Sequence, residues 1–157
     1  MILYHSSPYT IEKPDISFSR NNLDFGKGFY LTTHKEQAIK YAERFRLRNK
    51  TAYLNVYDLD DNLPGIIIKQ FDYYDEEWLE FVSHCRKEMD NHLYDIVIGG
   101  IANDKVFRTI DLYFAGEISK SEALKKLKFE QPNNQFCIRS QTVLDYHLRF
   151  IEAKEIK

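Results

Sequence analysis

His5 stands in an apolar run at the start of the chain, Met1-Ile2-Leu3-Tyr4-His5, and is followed by Ser6 and Ser7. A neutral imidazole carries one donor and one acceptor nitrogen, so it can hold a hydroxyl. The stretch DFGKGFYLT, residues 24–32, sets Gly26 and Gly28 around Lys27 and runs straight into Phe29 and Tyr30. Glycine lets a backbone bend sharply or pass close to a ligand. The turn therefore either delivers two aromatics to a core or forms a wall of a binding site. Tyr41 comes eleven residues after Tyr30, about three helical turns further on, and is expected on the inward face of a helix. Arg20 precedes the turn, and Gln135 opens a late apolar segment. Taken singly, each has a plain structural reading. His5 suits a satisfied core histidine, the tyrosines suit core aromatics, and Gln135 alone says little.

Other chemistries find little support. The chain has no phosphate loop of the Gly-x-x-x-x-Gly-Lys type and no Gly-x-Ser-x-Gly elbow. His84, Cys85 and His92 lie close in sequence, but no second ligand pair accompanies them, so no metal is expected. Cys85 and Cys137 are the only cysteines and sit in apolar patterns, as reduced core residues would. Net charge is −2 with both signs mixed, which gives no general argument for nucleic-acid binding. The basic run Glu43-Arg44-Phe45-Arg46-Leu47-Arg48-Asn49-Lys50 reads as a solvated helix face. No apolar stretch is long enough for a membrane span, and no secretory pattern opens the chain. A cytoplasmic location with no membrane contact is the expectation.

The elements that must position these residues follow from periodicity. Residues 2–5 read as a strand and 6–23 as a long irregular loop, a common place for binding residues. Thr33 and Glu36 have the form of a capping box for a helix running to about Asn49. Strands are expected at 53–57, 66–68, 95–98, 135–139 and 148–156. Trp78, Phe81, Val82, Cys85 and Met89 recur at helical spacing over about 74–90. Gly99-Gly100 reads as a turn, and Asn103-Asp104 as the cap of a helix with Val106, Phe107, Ile110, Tyr113 and Phe114 inward, stopped by Gly116. Ser119 and Glu122 form another capping box, and residues 131–134 a turn. With no repeat or linker, residues 1–157 read as one domain of class α+β, with a sheet built from segments distant in sequence.

In their order, Leu3-Tyr4-His5-Ser6, Phe25-Gly26-Lys27-Gly28-Phe29-Tyr30, Tyr41 and Asn134-Gln135-Phe136 resemble the ADP-ribosyltransferases, in the branch related to diphtheria toxin and the poly(ADP-ribose) polymerases. The chain is even more similar to a bacterial family known only as a domain of unknown function and grouped with that superfamily. The matching stretches are residues 24–32, 94–104 and 135–144. The resemblance implies a split mixed β-sheet with flanking helices. It implies NAD as co-substrate, cleaved between nicotinamide and ribose, and mono-ADP-ribosyl transfer to an acceptor that is a protein, a nucleic acid or a small molecule. His5, Tyr30 and Gln135 would form the catalytic core, with His5 bonding a ribose hydroxyl. Tyr30 and Tyr41 would sandwich the nicotinamide, since aromatic faces suit a flat cation. Backbone groups beside His5 and Ser6 would hold the carboxamide, Gly26 and Gly28 would allow close approach, and Arg20 would reach the pyrophosphate. A toxin or defence effector held by an antitoxin is the implied role.

The chain departs from that pattern at Gln135, where the superfamily carries a glutamate. A glutamine can bond the ribose hydroxyl but cannot act as a base. Transfer of a single ADP-ribose is favoured over polymer formation. An NAD- or ADP-ribose-binding module without turnover, or an NAD hydrolase, is the alternative. Ala38 stands where a helix residue often bonds the carboxamide in the polymerase branch.

Overall fold

A computed structural model describes residues 1–89, 92–130 and 132–157, and Asp104 by its backbone alone. Its elements are β1 (Ile2–Ser7), β2 (Phe29–Leu31), α1 (Lys35–Arg46), β3 (Tyr53–Leu59), β4 (Ile68–Gln70), α2 (Glu76–Arg86), β5 (Ile96–Gly99), α3 (Asp104–Phe114), α4 (Lys120–Leu127), β6 (Gln135–Ile138), α5 (Gln141–His147) and β7 (Leu148–Glu155). The class is α+β, as the irregular order of elements suggested.

Two sheets form. One has the order β1-β3-β7 and is antiparallel throughout. The other has the order β2-β6-β5-β4 and is mixed, because β4 and β5 run parallel. Tyr4 and Thr32 join the sheets by a bridge in which each amide donates to the other's carbonyl, at 2.8 and 3.0 Å. In β3 the register against β7 shifts between Val56 and Tyr57, leaving Ile151 without a partner.

The second sheet is covered on both sides, which explains why β5 and β6 are continuous apolar runs. Val97 and Cys137 face a cluster with Phe25 from the turn before β2 and with Trp78, Val82, Val106, Ile110 and Leu127 from α2, α3 and α4. Ile96, Phe136 and Ile138 face the other way, onto Leu3, Tyr57, Val143 and Leu148. Residues of one strand thus serve two cores by simple alternation. The outer face of the first sheet meets α1 through Ala38, Leu54 and Val56.

The expected caps of α3 and α4 are present. Asn103 accepts from the Val106 amide at 2.9 Å, and Ser119 with Glu122 forms a capping box. Gly116 has φ +72° just past α3. Within α3, Val106 and Ile110 are buried, whereas Phe107 is exposed and lies under the Arg86 guanidinium. The cap of α1 differs from expectation. His34 is the N-cap and makes no side-chain cap bond, while Thr32 Oγ1 accepts from the His34 amide. The bridge to Tyr4 holds Thr32 in extended backbone, so the helix starts later than Thr33 would set it. α1 ends at Arg46 and α2 at Arg86, each short of the expected end. The end of the expected 74–90 helix and the start of the 131–134 turn lie outside the described residues. The strand expected at 66–68 begins at Ile68, and α5 was not anticipated.

Candidate functional site

The three expected catalytic residues sit on three successive strands across the seam between the sheets. β1 carries His5, β2 carries Tyr30, and β6 carries Gln135. β1 meets β2 at the Tyr4–Thr32 bridge, and β2 meets β6 with Tyr30 opposite Cys137.

Their side chains diverge from there. The His5 ring packs on Phe29, with centroids 4.4 Å apart, and its Nδ1 lies 2.6 Å from the Tyr30 carbonyl oxygen. A carbonyl only accepts, so Nδ1 carries the proton and Nε2 presents its lone pair. Burial pushes the His5 pKa below the ordinary imidazole value, and the Tyr30 carbonyl opposes this only in part. His5 is therefore a neutral acceptor at neutral pH.

Tyr30 points to the other side of β2, into the cluster of Phe25 and Trp78. Its hydroxyl donates to the Gly26 carbonyl at 2.6 Å and accepts from the Phe25 amide at 3.0 Å. The phenol closes the glycine turn from inside, and burial raises its pKa well above the usual value. Gln135 shares this side by alternation with Cys137, and pairs with Gly99 across β5. It is 8% exposed. Among the described residues its side-chain amide has no hydrogen-bond partner, and its polar atoms are not among those shielded from water without one, so the amide stays open to solvent or a ligand.

The other expected residues are placed as follows. Ser6 is buried and donates to the Ala38 carbonyl at 2.5 Å, tying β1 to α1. Arg20 is exposed in the loop before the turn. Gly26 has φ +83°, which only glycine adopts freely. Gly28 is required by the fold itself, because a Cβ there would stand 2.5 Å from Cys137 Sγ and 2.9 Å from the Ile138 carbonyl. Tyr41 is 47% exposed, not inward. The face of α1 that meets β1 is built on Ala38 and Ala42, whose small side chains let the helix approach closely, and Tyr41 falls on its margin. Arg44 lies over its ring at 4.8 Å and Phe45 meets it edge-on. The two tyrosine rings therefore do not face each other, because one enters the core and the other lies on the outer helix.

Several residues that support the turn carry no local motif. Asp24 accepts from Arg86 Nε at 2.7 Å and Nη2 at 2.6 Å, and its other oxygen accepts from the Ala102 amide. Arg139 Nη1 donates to the Lys27 carbonyl at 3.0 Å. Asn55, cross-strand from His5, clamps the long loop by donating to the Tyr9 carbonyl and accepting from the Ile11 amide. Gln141 does the same further along, at the Pro14 carbonyl and the Ile16 amide. Position immediately before the turn and immediately after β6 was the only signal for Asp24 and Arg139.

Gly99 and Gly100 are packing glycines, since a Cβ at Gly100 would stand 2.6 Å from the Tyr74 ring. Cys85 and Cys137 are both buried in the core. Among the described residues no helix is long and apolar enough to cross a membrane. No curated protein and no solved structure matches the chain. Residues 1–150 match the family described as "Protein of unknown function (DUF3990)", and the chain belongs to that family.

Proposed function

We propose that this chain is an NAD-dependent mono-ADP-ribosyltransferase. The observation that carries the reading is the placement of the resembling residues in their order: His5, Tyr30 and Gln135 lie on β1, β2 and β6, the 25–28 turn leads into β2, and β2 meets both other strands. The pair of sheets is compatible with the split sheet that the resemblance implies.

The residues present fit a dinucleotide substrate in two respects. His5 Nε2 is a neutral acceptor, suited to a ribose hydroxyl. The Gln135 amide is unpartnered among the described residues and open to solvent or a ligand, and offers both a donor and an acceptor. His5 would fix the ribose. Gln135 would hold a hydroxyl without taking its proton, which stabilises positive charge at the ribose less than a carboxylate would. Single transfer follows from that weaker site. Tyr30 acts by holding the turn that borders the seam. The acceptor is a macromolecule, and a toxin or defence role with a protein antitoxin fits such chemistry.

The second reading is an NAD- or ADP-ribose-binding module, or a hydrolase. Gln135 favours it, because no base stands at that position.

The test is incubation with adenine-labelled NAD, with and without host lysate, scoring free nicotinamide and label on macromolecules. Release with transfer supports the transferase. Release without transfer supports the hydrolase, and binding without release supports the module. Neither binding nor release in the wild type sinks all of these. His5→Ala is expected to abolish release.

A further inference from the structure

Residues 35–50 carry six cations, Lys35, Lys40, Arg44, Arg46, Arg48 and Lys50, against two carboxylates, Glu36 and Glu43. That is a net of +4 in a chain whose total is −2. The six are exposed, and among the described residues none has a carboxylate oxygen within 4.0 Å. Some cations elsewhere are neutralised: Lys120 meets Glu76 and Glu80, Arg149 meets Asp58 and Asp60, and Arg86 meets Asp24. The segment at the end of β7, where Ile156 bonds Ala52, adds Glu155 and Lys157, which cancel.

Cations in the last turn of a helix complement its dipole. That accounts for Arg44 and Arg46, which lie in the last turn of α1. It does not account for Arg48 and Lys50, which follow the helix, where Asn49 takes φ +56° and turns the chain. Leu47, between Arg46 and Arg48, is 85% exposed. A solvated helix face, as the sequence suggested, would carry mixed signs in pairs. This one leaves its positive charge uncompensated.

We propose that the outer face and C-terminal end of α1 form a binding surface for single-stranded nucleic acid. Uncompensated exposed cations attract phosphates by releasing counterions. The surface is also close to the seam. Ser6 bonds Ala38 at one end of the helix, and Arg46 lies eight residues on, about 12 Å along the axis. The single-stranded form is taken from the transferase reading, since an acceptor base inside a duplex cannot reach a reacting centre. That the bound strand is the ADP-ribose acceptor rests on the transferase reading; the binding does not.

The experiment uses fluorescein-labelled 20-nucleotide single-stranded RNA and DNA with the full chain and no NAD, read by fluorescence anisotropy. Binding through about four phosphates gives a slope near 3 in log Kd against log salt, or about fiftyfold weakening from roughly 50 to 200 mM. Arg46→Glu/Arg48→Glu/Lys50→Glu should weaken binding at least about tenfold. The corresponding triple glutamine variant should fall between it and wild type, and circular dichroism should be unchanged in both. No binding at low salt, or equal binding by the charge-reversed variant, overturns the proposal. So does competition by polyglutamate of equal charge as strong as by unlabelled oligonucleotide, which would assign the surface to an acidic protein. With labelled NAD added, the charge-reversed variant should release nicotinamide but lose label on the oligonucleotide. Patch-dependent binding by a wild type that never releases nicotinamide would sustain the surface and remove the transferase reading.

Discussion

Tyr30 bonds two backbone groups of its own turn, the Gly26 carbonyl and the Phe25 amide. Tyr30→Phe keeps the ring and strands both partners, so it should lower stability by about 1–3 kcal/mol in urea unfolding. Gly28→Ala must push against a backbone carbonyl of β6 as well as a thiol. It should cost about 3 kcal/mol, the upper part of the range for overpacking. His5 sets a pH dependence. Its folded pKa is lowered from 6.5, chiefly because burial disfavours the imidazolium. The unfolded chain therefore takes up the proton first as pH falls. The His5 contribution is complete above about pH 6.5 and declines below it, because the unfolded state then binds more protons. NAD affinity that depends on neutral His5 should be level from about pH 8 to 6.5 and fall only as pH passes the lowered pKa, as titration calorimetry would show. A fall beginning above pH 7 would contradict the neutral-acceptor role. Of the site residues, the glycine turn was legible because φ and the missing Cβ are written in residue type. The direction of Tyr30 was not, since alternation says that Tyr30 and Phe29 part but not which side is core and which is cleft.

The turn before β2 is held by elements far away in sequence. Asp24 joins it to α2 through Arg86 and to the segment after β5 through Ala102. Both charged side chains are largely buried, at 13% and 12% exposure. Asp24→Ala leaves Arg86 without its partner, and a loss of about 3–5 kcal/mol is expected. Hydrogen exchange should quicken first at residues 24–28 and 101–103. At the helix ends, Asn103→Ala should cost about 1 kcal/mol, measurable as a lowered urea midpoint. The caps of α3 and α4 were legible because a cap is local: the side chain and its amide lie within one turn. The start of α1 was misread because a bridge to Tyr4, distant in sequence, fixes Thr32. Tyr41 was misread for a related reason. Helical spacing gives a stripe, but the closeness of β1 narrowed that stripe to Ala38 and Ala42.

Two cores share the second sheet, and the one tryptophan, Trp78, lies in the core built on α2, α3 and α4. β5 and β6 contribute alternate side chains to both, so neither core can lose its packing without exposing the other. Trp78 fluorescence and far-UV circular dichroism should therefore report one coincident urea transition. Separate midpoints would show that the cores unfold independently. By itself, the sequence determined the α+β class, most strands, two helix caps, the need for glycine at the 26–28 turn and membership of a full-length resemblance. These depend on residue type and short-range periodicity. Only the tertiary structure decided that His5 meets the Tyr30 carbonyl and not its ring. It also decided that, among the described residues, the Gln135 amide finds no partner and stays open to solvent or a ligand, and that the cations of α1 meet no carboxylate whereas Arg86, Lys120 and Arg149 do. Those facts depend on which strands become neighbours and how close the layers come, and a one-dimensional pattern does not carry either distance.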